Sequence, residues 1–225
     1  MVTKIKSILK KLLILGCGGH GNVVADAAEK TNEYEKISFL DDKIDEITQS
    51  KTNFKEKIIG VISEKNLIKF AQEFSDIFVG IGDNEIRLKW LKKVEGFGMK
   101  IPNIIHPSAQ ISKYVDMGFG CFINTNVVIQ CYSKICSGCI INTSSSIDHE
   151  SCIEEGTHIS PGVNIAGNVK IGKRSLIGIG SKIIQNISIG DDVIVGAGSL
   201  VLQNIPSNFK VYGSPAKFIK KSKCD

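Results

Sequence analysis

From Ile105 to Val201 every sixth residue is apolar. The series runs Ile105, Ile111, Met117, Ile123, Ile129 and onward through Ile189, Val195 and Val201 without one slip of register. Six is neither the 3.6 period of a helix nor the 2 of an alternating strand. It is the period of a hexapeptide solenoid, in which each hexapeptide forms one face and three close a coil of about 18 residues. The aliphatic residue points inward and stacks on its equivalents above and below. Four residues after most of them stands a small or β-branched residue, such as Cys121, Ser133, Cys139, Ser151, Thr157 or Ser175, placed near a corner. Glycine often follows the aliphatic, as in Ile171-Gly172 and Ile189-Gly190. The expected fold of this part is an all-β parallel β-helix. Such a column buries its core only by stacking and needs closed ends.

The first hundred residues follow a different rhythm. A strand at Lys11–Leu15 leads into a glycine loop, and a helix from about Asn22 to Lys30 turns Val23, Val24, Ala27 and Ala28 inward. A strand at Lys36–Leu40 ends in Asp41-Asp42. A helix capped by Ser63 buries Leu67, Ile68, Ala71 and Phe74. The strand Asp76–Ile81 precedes a helix from Asn84 with Leu88, Leu91 and Val94 inward. This is a Rossmann-like βαβαβ unit with a parallel sheet. The polar run Lys43–Lys57 reads as a loop after Asp42. The expected division is an α/β domain over residues 1–102, a β-helix over 103–205, and a C-terminal cap and tail over 206–225.

The loop itself, Gly16-Cys17-Gly18-Gly19-His20-Gly21, matches G-x-G-x-x-G after a strand. A dinucleotide fills two mononucleotide-binding halves, and only one half fits before the solenoid begins. What remains is a backbone cradle at a helix N-terminus, suited to a phosphate. His20 adds an imidazole to it, and Asp41 and Asp42 follow at a strand's carboxyl end, where sugar hydroxyls are held.

Composition narrows the classes. The chain has 225 residues, 42% hydrophobic and 23% charged, with a net charge of +5, ordinary for a globular protein. The excess is lysine and too diffuse for a nucleic-acid surface. No apolar run approaches the ~18 residues of a membrane span. The N-terminal MVTKIKSILKK reads as a lead-in to the first strand, not a signal peptide, because lysines interrupt it and no small-residue cleavage site follows. The expected location is cytoplasmic. Cys131, Cys136, Cys139 and Cys152 reproduce a C-x4-C-x2-C…C iron–sulfur spacing. The hexapeptide phase points them in different directions, so no metal is expected.

The candidate chemistry lies in Ile141–Ser175. His149 comes two residues after inward Ile147, near a corner and exposed, with Glu150 beside it. A neighbouring carboxylate fixes an imidazole tautomer and raises its basicity, the arrangement of a general base. One coil later stands Gly167, whose amide should lie about 4.8 Å away. A base beside a backbone donor suits acyl transfer, the donor stabilising the oxyanion of the tetrahedral intermediate.

Taken together, ILGCGGHGNVVADAAE, ISFLDD, VGIGDNEIR, NIIHPSAQIS, INTSSSIDHES, HISPGVNIAGNVKIG and VYGSPAK resemble the bacterial nucleotide-sugar acetyltransferases of the sialic-acid O-acetyltransferase-like group. The resemblance covers nearly the whole chain and is nearest to enzymes that N-acetylate UDP-linked 4-amino sugars. It implies a left-handed β-helix, acetyl-CoA as cosubstrate, a nucleotide-linked amino sugar as acceptor, and a homotrimer. It implies His149 as base, Glu150 as its support, and Gly167 as oxyanion donor. Asn142 would place the sugar, and Gly18, Gly19, His20, Asp41, Asp42 and Gly82 would hold the nucleotide sugar. His158, Ile179 and Ala197 would contact acetyl-CoA. O-acetylation of a sugar, as in the sialic-acid type, is the alternative, and a non-catalytic solenoid a third reading.

Overall fold

A computed structural model describes residues 10–42 and 57–221. Most of the polar run after Asp42 and the N-terminal lysine-rich lead-in lie outside the described residues.

The first unit is a parallel sheet of β1 (Lys10–Leu15), β2 (Tyr34–Leu40), β3 (Ile58–Gly60) and β4 (Asp76–Val79), in spatial order β3-β2-β1-β4. Helices α1 (Gly19–Lys30), α2 (Glu64–Phe70) and α3 (Asn84–Gly96) accompany it. Ser63 caps α2 through Asn66 N–H, and Asp83 caps α3 through Ile86 N–H. β3 adds a fourth strand to the expected βαβαβ unit. Three residues are too few to show a period. Two inward assignments reverse: Val23 and Ile68 are exposed, while Val24, Ala25, Ala27, Ala28 and Leu67 are buried.

The second unit is the column. Seventeen two-residue strands run from β5 (Ile104–Ile105) to β21 (Leu200–Val201), and each ends on one of the periodic aliphatics. The ladders are parallel at a constant offset. Ile135 pairs with Ile153, and Ile153 with Ile171, eighteen residues apart each time. Three faces result. The first carries Ile141 and Ile159, the second Ile147 and Ile165, and the third Ile135 and Ile153. From Ile123 onward the inward residues are at most 2% exposed, so the column's centre is dry and continuous.

The corners follow a second rule of six. From Gly120 to Gly198 every sixth residue has a positive φ, between 55° and 70°. Glycine and asparagine supply most of these left-handed positions, as the backbone demands. Tyr132, Ser144, Glu150 and Arg174 do so without that advantage. The next residue turns into the corner, where small hydroxyls bond upward by one coil: Ser133 to Asp148 O, Ser151 to Ala166 O and Thr157 to Gly172 O. β22 (Phe209–Tyr212) extends the first face in parallel, and β23 (Lys217–Lys221) pairs antiparallel to β22.

The two units share a core. Outward residues Ile104, Phe122 and Ile140 of the first face are buried with Val24, Ala27 and Ala28 of α1. Helix α3 lies along the glycine ladder of the corner between the third and first faces. A Cβ on Gly120 would meet Leu91 at 2.6 Å, and one on Gly156 would meet Leu88 at 2.6 Å. Side chains at those corners would lift α3 off the column.

Candidate active site

His149 and Glu150 form the turn between β12 (Ser146–Ile147) and β13 (Cys152–Ile153), the corner between the second and third faces. The corner is laddered on both sides. Glu150 N–H donates to Cys131 O below, and Asn168 N–H to His149 O above. Ser151 ties it further, donating to Ala166 O and accepting from Val169 N–H. Glu150, at φ 59°, sets its carboxylate 3.0 Å from His149 Nδ1. With Nδ1 so engaged, Nε2 is the atom left to take a proton. That atom leans over Gly167: a Cβ added there would lie 2.5 Å from Nε2 and 2.6 Å from Cε1. The Gly167 N–H donates no hydrogen bond among the described residues. The imidazole and the donor therefore share one open corner, as the coil arithmetic predicts.

The second group of residues lies elsewhere on the column. His158 points outward from the first face, with Asn142 Nδ2 3.3 Å from its Nε2. Asn142 is held in turn by Asn124 at 2.9 Å. Both belong to the first face and its corner with the second, a full face away from His149. Ile179 and Ala197 are exposed at that same corner. The structure brings Asn142 to His158 and does not bring either to His149 within one chain.

The glycine loop divides its labour. Gly16 takes φ +100° at the strand end, and a Cβ on Gly21 would run into the Gly16 carbonyl, so Gly21 serves close helix–strand packing. Gly18 and Gly19 face open space. Helix α1 begins at Gly19, with Gly18 as its N-cap. The helix thus starts three residues before the expected position, and His20 sits in its first turn. Its ring is edge-on to Phe122 at 5.4 Å, and its Nε2 is buried without a partner. Asp41 accepts from Cys17 N–H at 2.6 Å, and Asp42 from Ile62 N–H at 2.9 Å, so both acids shape the loops at the sheet's carboxyl edge. Gly82 faces His20: a Cβ added at Gly82 would lie 3.9 Å from that of His20.

Between α3 and the first face runs an open groove of about 1010 Å³, bordered by Gly82, Asn84, Lys89, Lys92, His158 and Arg174 among others. Burial pushes His158 down to about 4 and His20 down to about 3, and Arg87 pushes both the same way. Two imidazoles are therefore neutral at pH 7, His158 on the groove wall and His20 behind Gly82. Arg87 is a residue the sequence reading missed, because arginine is seldom interior.

The cysteines depart from expectation in one respect. Cys136 and Cys152 converge on the Glu154 carboxylate, at 3.8 and 3.7 Å, because the strand register sets residue 134 beside residue 152. Cys139 is interior and Cys131 lies at the His149 corner.

An exposed imidazole with a fixed tautomer, next to a spare backbone donor on a parallel β-helix, is equipped to deprotonate a nucleophile and steady an oxyanion; this is the hexapeptide class of acyltransferase. Comparison with known proteins gives the family. Residues 11–94 match the PglD N-terminal domain, and residues 168–203 match the bacterial transferase hexapeptide of six repeats. The acetyltransferase domain of PglB from Neisseria gonorrhoeae FA1090, solved with acetyl coenzyme A, is 36% identical. That match covers 94% of this chain and 100% of that one, with a TM-score of 0.87. PerB from Caulobacter crescentus, solved with CoA and GDP-perosamine, is 31% identical over 93% of this chain and 97% of its own, with a TM-score of 0.86. WeeI from Acinetobacter baumannii AYE, at 22% identity and a TM-score of 0.79, shares the fold. The chain belongs to the nucleotide-sugar acetyltransferases of the hexapeptide superfamily.

Proposed function

We propose that the protein transfers the acetyl group of acetyl-CoA to the amine of a nucleotide-linked amino sugar, with His149 as general base. The observation that carries this is the dyad: Nδ1 on Glu150 at 3.0 Å, and Nε2 poised over Gly167. His149 Nε2 takes the proton as the amine attacks the thioester carbonyl. The Gly167 N–H donates to the oxyanion, which collapses as the C–N bond stays and the C–S bond breaks. The proton then passes to the departing thiolate. The solved relatives with acetyl coenzyme A and with CoA and GDP-perosamine support this choice of substrates. Gly18, Gly19, His20, Asp41, Asp42, Gly82 and Asn142 hold the acceptor in this reading, and His158, Ile179 and Ala197 contact acetyl-CoA.

The working unit is a homotrimer. Supporting this, His149 and the groove lie on different edges of the column, and a face of six residues spans up to ~20 Å at ~3.3 Å each. The corner of one subunit, set against the first face of the next, joins the two halves of the site. The workplace is the cytoplasm; six unpaired cysteines among the described residues suit a reducing compartment. Among the described residues no helix is long and apolar enough to cross a membrane.

The test is CoA release from acetyl-CoA with a panel of UDP-, GDP- and dTDP-linked amino sugars, and with free and CMP-linked sialic acids. Turnover confined to amino sugars supports the reading. Turnover confined to hydroxyl acceptors replaces it with O-acetylation.

A further inference from the structure

Arg87 lies on the first turn of α3 and is 1% exposed. Its guanidinium makes five hydrogen bonds, and none ends on a carboxylate. Nη1 donates to Ile81 O at 3.1 Å and Gly82 O at 2.9 Å. Nε donates to Gly138 O at 2.8 Å. Nη2 donates to Gly156 O at 2.7 Å and to Asn84 Oδ1 at 2.8 Å. Ile81 and Gly82 form the loop after β4 that borders the groove. Gly138 and Gly156 are corner residues of two successive coils. Asn84 extends the same link, its Nδ2 donating to Arg174 O at 2.9 Å. One planar fork therefore spans the sugar-side loop and the column at once. A buried cation is costly to desolvate, and this one commits all five of its donors to holding the loop against the column. The arrangement calls for a reason beyond adhesion.

The surroundings supply one. Gly82 faces His20, and His158 borders the same groove. Both imidazoles feel the Arg87 charge. Asp83 and the thiols of Cys121 and Cys139 are the other ionisable groups around the guanidinium. The fork thus sits directly behind the groove that Gly82 and His158 border.

We infer that Arg87 is a positioning residue for the acceptor, fixing the Ile81–Gly82 loop to two coils of the column so that the acceptor pocket and the His158 coil keep one separation. This rests on the acceptor site of the proposed function. A lysine at this position keeps the charge and loses the fork, since an ammonium has three donors and no plane.

The experiment compares Arg87→Lys and Asn84→Ala with wild type by steady-state kinetics for each substrate, with thermal unfolding in parallel. Arg87→Lys is expected to raise the acceptor KM about 10- to 100-fold, the worth of a lost charge-assisted hydrogen bond. The acetyl-CoA KM should rise by clearly less, since of its contacts only His158 lies beside a coil that Arg87 holds, while Ile179 and Ala197 stand at another corner. Asn84→Ala should move the acceptor KM in the same direction by less, and serves alone if Arg87→Lys does not fold. An unchanged acceptor KM overturns the inference. So does a parallel rise of both KM values with a falling Tm, which marks general loosening. A wild-type enzyme that acetylates no nucleotide amino sugar overturns the functional reading and this inference with it. Wild-type turnover with an unmoved acceptor KM removes the role of Arg87 alone.

Discussion

Gly167→Ala tests the His149 corner without touching a catalytic side chain. The new Cβ would stand 2.5 Å from Nε2 and 2.6 Å from Cε1, where carbon contacts settle at about 3.5 Å. The imidazole must retreat by about 1 Å. Its backbone cannot move with it, because His149 O and Glu150 N–H are fixed to the coils above and below. The ring therefore swings away from the amide that it must work beside. A 1 Å misplacement of a reacting group costs about 10²-fold in rate. The backbone at Gly167 is outside the left-handed region, so alanine brings no backbone strain, the clash falls on the free end of an exposed side chain, and stability should hold. The assay is kcat by CoA release at saturating substrates, with Tm beside it. The expected result is a fall of about 10²-fold with Tm unchanged. Combining it with His149→Ala should add almost nothing, since both act on one group. A Gly167→Ala enzyme within threefold of wild type would refute the placing of Nε2 over Gly167.

His149→Ala should lower turnover by about 10²–10⁴, the usual worth of a general base, and Glu150→Gln by less, both read as kcat. Stability should decline in acid for a definite reason. His20 and His158 stay neutral in the fold down to about 3 and about 4, while the unfolded chain takes up protons below about 6.5. Their contribution is complete above about pH 7 and is lost as pH falls from about 6.5 toward 4. By pH 5 each has lost about 2 kcal/mol of that contribution, and urea unfolding of His158→Gln should show a correspondingly shallower fall in stability between pH 7.5 and 5. Gly21→Ala drives a Cβ into the Gly16 carbonyl and should destabilise by about 1–3 kcal/mol. Gly19→Ala meets open space, so it should leave urea unfolding unchanged and weaken acceptor binding in calorimetry.

The column was legible because its rule is local and repeated. One isoleucine every six residues names the inward position, and three hexapeptides per coil put residue 167 above residue 149. The first unit was less legible. β3 is three residues long, and α1 starts at Gly19 because the glycine loop is shorter than its motif suggests. Arg87 carries no sequence signal: its five acceptors come from residues 81 to 156, and only the docking of α3 on the glycine corners brings them together. Cys136 and Cys152 share Glu154 for the same kind of reason, a neighbour relation set by coil register rather than by spacing.

The constant offset of eighteen residues makes chain length in the column a matter of whole turns. Removing eighteen residues beyond the Gly167 coil would shorten the column by one rise and leave every remaining side chain on its face. Removing six would rotate everything downstream by a third of a turn, moving inward isoleucines to the next face while keeping them inward. Stability would survive such a change better than activity, because the core reads the sequence modulo six and the active site reads it modulo eighteen. A hexapeptide inserted between His149 and Gly167 would carry the amide to another edge and leave the base alone at its corner.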